Sequence, residues 1–87
     1  MKLTEALTRM RDMEHTDLTF GMVFLTQTPP TRIRKIERCR LRATPTNHRN
    51  HDAFLYFTDL DKSLARQCRK RLITRVCFGD KWYPVEI

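Results

Sequence analysis

The spacing of apolar residues changes period once along this chain of 87 residues, and that change limits the folds open to it. Leu3, Ala6, Leu7, Met10 and Met13 recur at steps of three and four, which draws one stripe down an α-helix. From Leu18 the step is two: Leu18, Phe20, Met22 and Phe24 alternate as strand residues do. No Gly or Pro interrupts positions 1–19. A helix of about three turns is unstable alone, so its stripe must cover a sheet.

The rest of the chain supplies that sheet. Val23 and Leu25 make the first strand apolar on its second face too, the mark of a central strand. Gly21 within it predicts a bulge or a close approach of the helix. Thr28-Pro29-Pro30-Thr31 ends the strand, because proline cannot donate to a ladder. A second strand over 33–43 sets Cys39, Leu41 and Ala43 on one side and Arg38, Arg40 and Arg42 on the other. Ile36 is out of phase with Cys39, which predicts a bulge at 35–37. Residues 44–52 are polar and turn-rich and read as a loop. A third strand follows over 53–58, then a turn over 59–63, with Ser63 as the cap of a short helix reaching Arg66 or Cys68. Residues 72–78 alternate as a fourth strand. Gly79-Asp80-Lys81 turns the chain into a returning strand over 82–87, which Pro84 assigns to a sheet edge.

The expected architecture is therefore a single α+β domain over 1–87: an N-terminal amphipathic helix packed on an antiparallel sheet of four or five strands. A small half-open β-barrel with a helix is the alternative, on the strength of the bulge signals. The expected core is Leu3, Leu7, Met10, Phe20, Met22, Phe24, Leu41, Leu55, Phe57, Leu72, Val76 and Phe78.

Cys39, Cys68 and Cys77 are odd in number and cannot all pair within one chain. No secretory leader precedes them, and the longest apolar run, Met22 to Leu25, is far short of a membrane span of roughly 20 residues. Free thiols in a reducing cytoplasm are the expectation, with no membrane partner.

Charge is where function shows. Residues 32–42 hold Arg32, Arg34, Lys35, Arg38, Arg40 and Arg42 against Glu37 alone. Residues 62–79 hold Lys62, Arg66, Arg69, Lys70, Arg71 and Arg75 and no acid. Twelve of the 17 basic residues thus face one of the ten acids, while the remaining positions are net negative. Alternation spaces Arg38, Arg40 and Arg42 roughly 7 Å apart on one strand face, close to the phosphate repeat of a nucleic-acid strand. The candidate phosphate-binding residues are Arg38, Arg40, Arg42, Arg69, Lys70, Arg71 and Arg75, with Tyr56 or Trp82 stacking on bases where exposed. An acidic protein partner or a merely solvated edge would use the same charge.

Enzyme chemistry finds little footing. His48-x-x-His51-Asp52 lacks a fourth ligand at zinc spacing and reads as a solvated loop. Cys39 and Cys77 sit among apolar strand residues, where cysteine behaves as a small hydrophobe. Asp59 and Asp61 flank a turn, explained by solvation and the Ser63 cap. Gly21 and Gly79 are too isolated for a phosphate-cradling loop. No catalytic residue, metal, cofactor or small-molecule ligand is expected.

The opening MKLTEALTRMRDM with FGMVFLTQ after it, and the closing RLITRVCFGDKWYPVEI, resemble small uncharacterised proteins of bacterial prophages and mobile elements. In those proteins a short helix, a strand opening on phenylalanine, a basic strand and a terminal hairpin succeed one another. The resemblance spans nearly the whole chain. It implies a cytoplasmic accessory role and assigns no activity or site. A weakly specific nucleic-acid-binding domain is the leading expectation. The alternative is a protein-interaction domain or a structural accessory subunit of a phage or mobile element.

Overall fold

The computed structural model describes residues 1–43 and 51–87. One helix, α1 (Leu3–Asp12), is followed by six strands: β1 (Phe20–Leu25), β2 (Ile33–Leu41), β3 (Phe54–Asp59), β4 (Leu64–Arg69), β5 (Ile73–Phe78) and β6 (Lys81–Pro84). They form a single antiparallel sheet in the order β4-β3-β2-β1-β5-β6, with β1 central and β4 and β6 as edges. The fold is α+β as expected, with one strand more than the upper bound, and the sheet does not close into a barrel.

The helix lies where its stripe predicts. Ala6 and Met10 are fully buried, with Leu3, Leu7 and Met13 packed partly against the same core. With no Gly to stop it, α1 ends through Thr16. That hydroxyl donates to the Met13 carbonyl at 2.8 Å and accepts the Leu18 N–H at 3.1 Å.

Phe20, Met22 and Phe24 on β1 point to the helix side. Beside them on that side lie Ile36 and Cys39 from β2, Leu55 and Phe57 from β3, Cys68 from β4, and Ile73 and Val76 from β5. Phe24 meets Phe57 edge-on, with ring centroids 6.0 Å apart. Both neighbours of β1 carry a bulge. On β2, Glu37 and Arg38 together oppose Gly21, so Ile36 and Cys39 face the same side although three positions apart. On β5 the register shifts between the partners of Val23 and Phe24, which brings Ile73 into the core beside Val76 and leaves the expected Leu72 half-buried.

Two expectations are corrected. Residues 64–69 form a strand, not a short helix, and Ser63 caps nothing: it takes φ 51° as the last residue of the β3–β4 turn. Asp59 is not solvated but 4% exposed, accepting the Asp61 N–H at 3.2 Å and lying 3.5 Å from Arg66 Nε. That last distance is an ion pair rather than a good hydrogen bond. Of the two alternatives expected at Gly21, the bulge is the one found, since the β1–β2 register shifts there, and it is β2 and Trp82 that approach the glycine. Of the loop expected over 44–52, residues 44–50, with His48, lie outside the described residues, and His51–Ala53 form a 3-10 turn.

Candidate nucleic-acid interface

With α1 on one side of the sheet, alternation assigns every strand residue out of phase with the core to the other side. On β2 these are Ile33, Lys35, Arg38, Arg40 and Arg42 (just past its end), with Glu37. On β4 they include Arg69, opposite Phe54, and on β5 Arg75, opposite Val23. The two basic segments, distant in sequence, thus meet on one face, which no helix among the described residues covers. Glu37 is the only carboxylate among the described strand residues there, and Lys35 sits 3.3 Å from it.

The bulge makes this face. Without it, Lys35 would share a side with Cys39 and Leu41. The extra residue moves it into line with Arg38, Arg40 and Arg42. Lys35 is not among the phosphate-binding residues expected from sequence. The phase break between Ile36 and Cys39, carried through to its consequence, is the signal that finds it.

Two cation–aromatic clusters bracket the face. In the first, the Trp82 side chain reaches from β6 across Cys77 to Gly21 on β1. Its ring centroid has Lys35 Nζ at 5.2 Å and Arg75 Cζ at 5.6 Å. A Cβ on Gly21 would lie 3.2 Å from Trp82 Cη2 and 3.0 Å from the carbonyl oxygens of Ile36 and Glu37. Glycine here is what lets the indole cross the strand. The second cluster runs from β2 to β4: Arg42 over Tyr56 at 5.5 Å, Tyr56 beside Phe54 at 6.4 Å, and Arg69 over Phe54 at 4.9 Å. Such contacts stabilise by about 0.5–1 kcal/mol each when exposed.

Between the clusters, Arg38 lies 3.9 Å from Asp61, and Arg40 donates to the Asp17 carbonyl at 2.9 Å. The Nε atoms of Arg40, Arg42 and Arg69 are buried without a hydrogen bond, so each stem is laid on the protein surface. Of the seven residues expected from sequence, Arg38, Arg40, Arg42, Arg69 and Arg75 share the uncovered face. Lys70 and Arg71 do not: they sit in a 3-10 turn between β4 and β5 and line a cleft with Leu3 and Asp52. Tyr56 is 2% exposed and has no ring face to offer a base, whereas Trp82 is half-buried.

The cysteines are not part of this interface chemistry. All three are free. Burial pushes the Cys68 thiol up to about 12, and burial, helped by Cys68 and Asp59, pushes Cys39 well above the usual thiol range. Cys77 is raised too, by burial, Asp80 and Glu37 against the lowering effect of Lys35. A protonated thiol is a poor nucleophile and a poor metal ligand. No helix among the described residues is long and apolar enough to cross a membrane. Comparison of the chain with protein-family models, curated proteins and solved structures gives no match.

Proposed function

We propose that the uncovered sheet face binds nucleic acid through its phosphates, with little sequence specificity. The observation that carries this is the convergence of Lys35, Arg38, Arg40, Arg42, Arg69 and Arg75, from two separate stretches of chain, on one face where Glu37 is the only carboxylate among the described strand residues and Asp61 pairs with Arg38 alone among the six. Arginines present paired donors to phosphate oxygens, and a row along β2 spaces them at the two-residue strand repeat of roughly 7 Å. Nothing on the face resembles a base-edge reader held in a groove, so affinity would come from charge and depend steeply on salt. A solvated protective surface would account for scattered charge on the β4 edge, but not for cations gathered on the inner strands β2 and β5.

Titration of labelled single- and double-stranded oligonucleotides at about 50 mM and 200 mM salt tests this. The parent should bind at the lower salt. A Lys35→Gln/Arg75→Gln variant should bind every sequence more weakly, with the slope of log affinity against log salt reduced by about 0.7–0.9 for each phosphate no longer neutralised. Arg38→Gln/Arg40→Gln/Arg42→Gln should do the same from the other half of the face. A parent that binds neither form at about 50 mM salt overturns the proposal.

A further inference from the structure

We infer that the ligand of this face is single-stranded and that Trp82 is the platform on which one of its bases stacks. The inference rests on the nucleic-acid reading above and narrows it. Trp82 is the chain's only tryptophan, and it spends its bulk on the uncovered side of the sheet rather than in the core. The side chain is half-buried, its far edge seated over Gly21, and two exposed, flexible cations approach its ring. Burying an indole in the core would have stabilised the fold further. Laying it across the cation-bearing face, through a gap that only glycine leaves, builds a rigid apolar platform flanked by positive charge.

That arrangement suits an unpaired base. Bases within a duplex are already stacked on one another and cannot reach an indole lying on a sheet. The major groove admits a helix or a two-stranded ribbon but not the broad face of a six-stranded sheet. In a single strand, each base offers a free π-face, and base–aromatic stacking exceeds an exposed cation–π contact in strength. An incoming base would therefore displace Lys35 and Arg75 from the ring, and both side chains would turn to the flanking phosphates. The row Arg38, Arg40 and Arg42, continuing from Lys35 along one strand, follows one phosphate backbone rather than two. The second aromatic cluster offers no equivalent platform, because Tyr56 is buried and the Arg69 that lies over Phe54 is itself half-buried, with its Nε out of solvent, unlike the exposed Lys35 and Arg75.

The lone indole is its own reporter. An unlabelled oligothymidine of about 12 nucleotides should quench and shift Trp82 emission on binding, while a duplex hairpin of similar charge should not. Trp82→Leu should lower single-strand affinity roughly ten- to hundredfold and leave the salt slope unchanged, since it removes a stack and no phosphate partner. Trp82→Phe, which keeps a ring should the leucine variant fold poorly, should fall between the two. Equal binding of single strand and duplex with unaltered emission, or single-strand affinity unchanged in both variants, would overturn the inference while leaving the phosphate reading intact. Failure of both ligands to bind the parent would instead remove the reading on which it rests.

Discussion

Gly21 shows how one residue can serve fold and surface together. It faces the bulge formed by Glu37 and Arg38, and it makes room for Trp82. Gly21→Ala places a Cβ at 3.0 Å from two backbone carbonyls that cannot swing aside as a side chain would. Overpacking of this kind costs about 1–3 kcal/mol. A lowered urea midpoint, with Trp82 emission shifted in the folded protein, is the expected outcome; an unchanged midpoint would mean that the bulge yields easily. The buried thiols give a second residue-scale expectation. Above pH 9 the unfolded chain loses the Cys68 proton while the folded protein, with that thiol near 12, retains it. The unfolded state then binds fewer protons, so stability falls as pH rises from 9 towards 12. Stability of Cys68→Ala, measured by urea unfolding between pH 8 and 10.5, should decline less steeply than that of the parent, by up to about 1.4 kcal/mol per pH unit. Parallel declines would contradict the burial of a protonated thiol.

Among the elements, those with a clean period were legible. The stripe from Leu3 to Met13 gave α1, the alternation from Phe20 to Phe24 gave β1, and Pro84 rightly marked β6 as an edge, where the Met1 ammonium donates to the Pro84 carbonyl at 2.9 Å. β4 was not legible, because its side chains alternate Arg66 with Cys68 towards the core and Ala65 with Gln67 away from it, and neither set is uniformly apolar. What forms the strand is its pairing with β3 and the turn that reverses the chain. Asp59 accepts the Asp61 N–H, and Ser63 adopts a left-handed conformation. Ser63→Gly removes the side-chain cost of that conformation and should raise stability by a few tenths to about 1 kcal/mol. A loss of stability would show that the turn depends on the serine itself. Bulges explain the remaining misplacements. A strand with an extra residue changes phase midway, so simple alternation assigned Leu72 to the core instead of Ile73 and overlooked Lys35 on the basic face.

At the scale of the whole molecule, the sheet is asymmetric. One face is covered by α1 and holds the core; the other carries the row of cations together with Trp82, Phe54 and Tyr56. Much of this site was readable from charge spacing and strand alternation along β2, but its union with Arg69 and Arg75 depends on which strands become neighbours, a property of topology that local sequence does not encode. A core of one layer against one helix is thin, and Phe57, fully buried and in contact with Phe24, is central to it. Phe57→Ala should cost about 3–5 kcal/mol, a large part of the stability of so small a domain, and largely abolish a cooperative thermal transition. A near-parental melting temperature would place the core elsewhere. The sharpest measurement for the uncovered face is a residue-resolved NMR titration of the 10.5 kDa protein with a short oligothymidine at low salt. Amide shifts should concentrate in Lys35–Arg42, Gly21–Val23 and Arg75–Cys77 and include the Trp82 indole N–H, with Leu3–Asp12 left still. Shifts confined to α1 or to the turn at Lys70–Leu72, with β1, β2 and β5 silent, would contradict binding at this face.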